Sequence, residues 1–301
     1  VAIVLCVGHA VQDFVFGVAA LPTRGEKYRA SAFVTVGGGP AATAAVAIAK
    51  LGGRARLAAR LGDDPVADVV VAELERYGVD CALVRRHAGR TTSLSAVMLD
   101  PAGERMIVNY LDPELPRDPA WLPHAEAIGA GAVLGDVRWP EGSAHALSRA
   151  RAAGIPAVLD ADRPVPADGA LLRAASHVAF SAEGLGEYTG DADPVRALNA
   201  VGATLDAWCC VTVGADGVYV RGRDGAIAHQ PSFPVDVVDT LGAGDVWHGA
   251  FALALAEGRD ETCAVRFAQA AAALKVQRRG GRAGAPTRVE LEEFLAHPRD
   301  A

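Results

Sequence analysis

In the last quarter of the chain, Gly242-Ala243-Gly244-Asp245 opens a run of helical character that continues to Ala256. Small residues at a helix start leave backbone N–H groups accessible, with no intrahelical acceptor and with the helix dipole favouring negative charge. A phosphoryl group in transfer requires such surroundings, because its charge spreads over the equatorial oxygens. Asp245 falls in the first turn beside that hole, where a carboxylate can accept the proton of an attacking hydroxyl. The same residues also have a plainer reading, a glycine turn and an aspartate that stabilises a helix N-terminus.

The elements that must carry these residues follow from alternation. Val1–Val7, Ala55–Ala59, Ala132–Leu134, Ala157–Leu159, His177–Phe180 and Cys209–Val213 are short apolar runs that predict buried strands. Pro40–Leu51, Asp64–Tyr77, Ser143–Ala153, Pro194–Leu205, Ala243–Ala256 and Glu261–Lys275 have helical patterns. The expected fold class is therefore α/β, a mainly parallel sheet flanked by helices on both faces. Val11–Val36 and Thr91–Leu111 interrupt the alternation, and the turn Asp100-Pro-Ala-Gly103 between two β-like pieces signals a hairpin. The expected division is a main domain of residues 1–10, 37–90 and 112–301, with 11–36 and 91–111 forming a small β lid.

Composition excludes several classes. The chain has 301 residues, 51% hydrophobic and 22% charged, with a formal net charge of −7. That suits a domain with a sizeable core and opposes nonspecific attraction to nucleic acid or anionic lipid, so neither partner is expected. An anionic ligand must then rely on a few local cations. The five cysteines show no CxxC spacing and read as free thiols, mostly buried, in a reducing cytoplasm. The apolar N-terminus lacks a basic region and reads as a first strand, and no apolar stretch is of bilayer-spanning length.

The motifs occur in an order that resembles a known family. Asp239-Thr-Leu-Gly-Ala-Gly-Asp245-Val-Trp-His-Gly-Ala is similar to the C-terminal signature of the ribokinase-like (PfkB) carbohydrate kinases. Gly8 to Asp13, Gly37-Gly-Gly-Pro-Ala-Ala-Thr43, Arg60-Leu-Gly-Asp-Asp64 and Thr212-Val-Gly-Ala-Asp-Gly217 resemble further elements of it. The resemblance spans nearly the whole chain and implies the ribokinase-like fold and ATP-dependent phosphorylation of a sugar hydroxyl. It implies Asp245 as catalytic base and Gly242, Ala243 and Gly244 as the anion hole. Asp13 and Gly37, Gly38 and Gly39 would bind sugar, and Thr212, Gly214 and Gly217 the nucleotide. Mg²⁺ would arrive with ATP, and a monovalent cation is possible near Asp239. Two positions depart from the family pattern: Thr43 stands where relatives have Asn, and Ser181-Ala-Glu-Gly184 replaces a metal-associated Asn-x-x-Glu. That leaves Glu183 and Asp239 as candidate metal ligands.

Three polar positions bear on the sugar. Lys27 and Asn109 lie in the lid segments, and Arg138 follows the strand run Ala132–Leu134, where open α/β sheets bind ligands. Singly each has a bland reading, as solvated lysine, turn residue and surface ion pair. Together they could hold an anionic tail, with Arg as a fork-shaped donor. Leu21-Pro-Thr, Gly25-x-Lys27-Tyr, Gly103-Glu-Arg, Asn109-Tyr, Asp136-Val-Arg-Trp139, Pro234-Val-Asp-Val-Val-Asp-Thr and Gly280-Gly-Arg-Ala-Gly-Ala-Pro286 resemble the branch of the family acting on 6-deoxy-6-sulfofructose. That resemblance implies phosphorylation at O1, in sulfoquinovose catabolism, with Lys27, Asn109 and Arg138 on the sulfonate. A ketose 6-phosphate, as in a 6-phosphofructokinase, remains the rival, and Arg90 is the cation that would favour it. A nonenzymatic sugar or nucleotide sensor is the reading from another class. The lid strands have edges that need covering, and with the family's habit this implies a homodimer through the lid.

Overall fold

The computed structural model describes residues 1–297 except 103, 167, 168 and 223. Gly103, in the expected hairpin turn and in Gly103-Glu-Arg, therefore lies outside the described residues. In chain order the elements are β1 (Ile3–Gly8), β2 (Val11–Gly17), β3 (Ala32–Gly38), α1 (Pro40–Lys50), β4 (Arg54–Gly62), α2 (Pro65–Arg76) and β5 (Asp80–His87). Next come β6 (Leu94–Leu99), β7 (Arg105–Tyr110), β8 (Ala132–Asp136), α3 (Pro140–Ala152), β9 (Ala157–Ala161), α4 (Ala170–Ala174), β10 (His177–Ser181) and α5 (Ala182–Thr189). The chain closes with α6 (Pro194–Gly202), β11 (Trp208–Thr212), β12 (Val218–Arg221), β13 (Ile227–Gln230), α7 (Ala243–Ala256), α8 (Glu261–Val276) and α9 (Arg288–Ala296).

The large sheet runs β13-β12-β11-β10-β9-β8-β1-β4-β5, and its strand pairs are parallel except β11 with β12 and β12 with β13. Its central strands are buried on both faces. Val4 and Cys6 of β1 face a core shared with α1, α7 and α8, while Leu5 and Val7 face one shared with α3 and the segment around Leu171. This is the reason the central strands read as continuous apolar runs instead of alternating ones. Parallel strands put all their carboxyl ends on one edge, so the segments after β1, β8, β9 and β11 gather there.

The second sheet has order β3-β2-β6-β7. Register aligns Asp13 of β2 with Ser95 of β6, and Ser95 with Asn109 of β7, so the three share one face. Phe14 and Phe16 point the other way and pack on Phe33 of β3. Pro22, Tyr28 and Ala30 of the intervening loop cover Phe16 and Met98 there. Phe33, Val34, Ile107, Val108 and Tyr110 on the outer strands are exposed.

Asp64 joins the two sheets. One carboxylate oxygen caps α2 at the Ala67 N–H (2.9 Å) and the other accepts from Thr92 N (2.7 Å), just before β6. Helix α3 starts at Pro140, three residues before the sequence pattern suggests, because proline is at home in a first helical turn. Four cysteines are buried and Cys263 is exposed, and all five are free.

Candidate active site

Asp245 sits in the first turn of α7, behind Gly242, whose φ of 75° is the left-handed conformation that glycine adopts cheaply. The Ala243 N–H is spent on Thr240 O at 3.1 Å. Ala243 is therefore a turn donor in this structure, and the amides of Gly244 and Asp245 are the ones left without a partner among the described residues. Burial, with Asp162 and Asp136 nearby, pushes the Asp245 carboxyl up to about 7, while Arg138 and a hydrogen bond from Thr43 pull it down. A carboxylate poised there has the right basicity to take a proton near neutrality.

Thr43, buried at the start of α1, lies with Asp245 beside Gly242 and lowers the Asp245 pKa. The family's asparagine at that position is read as a sugar contact, but here the shorter hydroxyl reaches the carboxylate.

Three strand ends build the floor. Asp136, buried at the end of β8, accepts from His9 N (2.7 Å) and Ala41 N (3.2 Å) with one oxygen and from Arg138 N (2.9 Å) with the other. It ties the end of β1 to the start of α1, just after Gly37–Gly39 at the β3–α1 junction. Arg138 grips Asp162 with two parallel bonds, the second 2.7 Å long, which is the strong fork geometry of guanidinium on carboxylate. Although burial opposes its charge, Asp162, Asp136 and Asp160 hold the Arg138 pKa above the usual arginine value.

Asp160 is fully buried, with one oxygen unpartnered among the described residues and the other 3.3 Å from His248 Nδ1. Burial first, then Asp162 and Asp245, raise its carboxyl well above the ordinary range. His248 also meets Gly244 O at 2.8 Å and Ala179 O at 3.3 Å, so it links the first turn of α7 to β10.

On the lid side, Asn109 Nδ2 donates to Ser95 Oγ (3.1 Å), and Ser95 in turn bonds Asp13. Burial raises the Asp13 pKa, against which Ser95 and the Arg282 charge act. Arg282 is buried, pairs with Glu73 Oε2 at 2.8 Å and lies so close to Gly37 that any β-carbon there would overlap its guanidinium. Its Nη1 has no hydrogen-bond partner among the described residues. Lys27 is exposed on the loop between β2 and β3, and among the described residues no hydrogen bond joins it to Asn109 or Arg138. Arg90 points to Glu114, with Asp112 at 4.0 Å, so its charge is already matched.

The loop 212–217 follows β11 on the same sheet edge. Val213 N bonds Gly217 O (2.9 Å), Thr212 Oγ1 donates to Phe180 O (3.3 Å), and the space over Gly214 is open. Neither metal candidate is free. Glu183 pairs with Arg163 at 2.8 Å on an exposed face, and Asp239 accepts from Leu241, Gly280 and Gly281 N–H and from Lys275. No cluster of three or more metal-ligating side chains occurs among the described residues.

An α/β fold with a small second sheet, a glycine-started helix and a buried carboxylate is compatible with phosphoryl transfer to a hydroxyl. The pfkB family carbohydrate kinases match this chain over residues 2–288, and the chain belongs to that family. It is 32% identical over 297 residues to the ribokinase of Bacillus subtilis (strain 168), covering 97% of this chain and 99% of that one. It is 31% identical over 327 residues to fructokinase-1 of Oryza sativa subsp. japonica, covering 97% of each. Among solved structures, Arabidopsis thaliana ribokinase complexed with ribose and ATP superposes with a TM-score of 0.84 at 27% identity, covering 98% of both chains. The fold is ribokinase-like and the protein is an ATP-dependent carbohydrate kinase.

Proposed function

We propose that the kinase transfers the γ-phosphoryl group of MgATP to O1 of an anionic ketose, 6-deoxy-6-sulfofructose, in sulfoquinovose catabolism. Asp13 and the amides of the 37–39 loop orient the sugar hydroxyls, with Ser95 and Asn109 beside them. Asp245 takes the O1 proton as that oxygen attacks phosphorus, and the bond to ADP breaks. Amides at the start of α7 stabilise the charge on the phosphoryl oxygens. Closing the lid excludes water that would otherwise hydrolyse ATP. Lys27 joins Asn109 and Arg138 at the sulfonate only in that closed state.

The observation that carries the choice of tail is the position of two ion-paired arginines. Arg138, paired with Asp162, lies within electrostatic reach of Asp245, whereas Arg90 is turned to Glu114 and Asp112. A guanidinium already shared with Asp162, one lysine and a neutral amide suit a monoanion better than the near-dianion of a phosphate monoester. A second reading, a neutral sugar, is favoured by the Arg138–Asp162 pair, which closes that charge on itself. The exposed apolar outer strands of the lid support pairing with a second copy. Incubation with MgATP and 6-deoxy-6-sulfofructose, followed by NMR of the product, tests the reading. Phosphorus coupled to the C1 protons supports it, and an unchanged sugar refutes it.

A further inference from the structure

The resemblance allows a monovalent cation near Asp239, but the residues there do not fit one. Lys275, in the last turn of α8, is fully buried. Its Nζ lies 2.6 Å from Asp239 O and 3.3 Å from Asp239 Oδ2. The remaining capacity of that carboxylate is taken by backbone donors: Leu241 N on Oδ1 at 2.9 Å, and Gly280 N and Gly281 N on Oδ2 at 3.1 and 3.3 Å. A monovalent cation would have to displace an ammonium already in contact with both the backbone and the side-chain oxygen.

The lysine has a plainer use as a cation near a helix C-terminus, where the dipole favours it. That use is satisfied from the surface, and Lys275 instead points inward. Removing an ammonium from water is expensive unless its new partners compensate. Asp239 is such a partner: burial works to raise its carboxyl pKa, but the Leu241 and Gly281 amides and Lys275 bring it below the usual value.

The location gives the pair a task. Val238 N and Asp239 N both donate to Val276 O, at 2.7 and 2.9 Å, so the loop is clamped to the end of α8. Three residues beyond Asp239, Gly242 caps the start of α7, whose free amides would face the phosphoryl group on the proposed reading. The position of Asp239 therefore sets the position of those amides.

We propose that the Lys275 ammonium is a tethered cation that replaces a bound monovalent ion, holding the 239–242 loop in the geometry that phosphoryl transfer needs. The enzyme then works without K⁺. This rests on the kinase activity alone and is indifferent to the sugar.

The experiment compares wild type and Lys275→Ala in KCl, NH₄Cl and tetramethylammonium chloride at equal ionic strength. Two readouts are taken, ADP release and the thermal midpoint. Wild type is expected to differ less than about twofold between salts, with an unmoved midpoint. Lys275→Ala is expected to lose at least about tenfold activity in tetramethylammonium, to regain at least about fivefold in K⁺ or NH₄⁺, and to gain thermal stability only in those salts, as ligand linkage requires. Activation of wild type by K⁺ beyond about fivefold overturns the proposal, even if the variant fails to fold. So does a folded variant that is fully active in tetramethylammonium, or one that neither K⁺ nor NH₄⁺ rescues. The thermal readout needs no sugar, so a wrong substrate assignment leaves this test intact.

Discussion

Arg138 and Asp162, from the segments that follow two neighbouring strands, form a two-pronged pair beside Asp245, and the two act on Asp245 in opposite directions. Asp162 raises the Asp245 carboxyl and Arg138 lowers it. The pair is therefore a control on the base.

The first prediction concerns pH. Asp245 must be deprotonated to accept the hydroxyl proton, and its carboxyl lies at about 7. The acidic limb of kcat/KM should fall near pH 7, with activity rising as pH passes through it. Asp162→Asn removes a negative neighbour and frees Arg138, so the limb should move to lower pH. Arg138→Gln removes the positive neighbour and should move it up. A pH–rate profile of each variant decides, and limbs that stay in place would detach the pair from the base.

Asp245→Asn keeps the shape and removes the base. Turnover should drop by roughly 10²–10⁴-fold, the usual worth of a positioned proton acceptor. The circular dichroism melt should stay close to that of wild type. Turnover near wild type would exclude Asp245 from proton transfer.

The row Asn109–Ser95–Asp13 predicts a sugar effect without a nucleotide effect. Ser95→Ala breaks the chain at its middle and leaves Asp13 without one of the bonds that favour its charge. KM for the sugar should rise about tenfold, near the worth of one hydrogen bond to a charged group. KM for ATP should change less than about twofold, and an equal rise in both would indicate general damage.

Arg90 supplies a control. Because Glu114 and Asp112 already neutralise it, Arg90→Ala should alter the sugar KM by less than about twofold, within the small worth of exposed ion pairs. A loss beyond about tenfold, confined to a phosphorylated ketose, would place Arg90 in the sugar site and favour the phosphate reading.

Local features of the site were legible in the sequence. The glycine start of α7 and the aspartate three residues on are contiguous, and the strands that carry the site are apolar because both their faces are covered. What the sequence hid depends on distant segments meeting. Asp136 acts on His9, 127 residues away, and Arg282 on Glu73, 209 residues away, so neither declared its role by spacing. Arg282 had a faint signal, a charged residue inside the small-residue run Gly280–Pro286. Thr43 was visible as a departure from the family pattern, but only the approach of α1 to α7 gives its hydroxyl the Asp245 carboxylate as partner. Strand β5 escaped notice because it lies at the edge of the large sheet, where Arg85 and Arg86 are tolerated.

The central claim is that this kinase selects a monoanionic tail, and competition between substrates tests it most directly. ADP release with MgATP should be measured for 6-deoxy-6-sulfofructose, fructose 6-phosphate, fructose and ribose at matched concentrations. The account predicts a kcat/KM for the sulfonate at least about 100-fold above each of the others, roughly 2.7 kcal/mol of discrimination. A preference for fructose 6-phosphate, or for a neutral sugar, would contradict it while leaving Asp245 and the kinase fold in place.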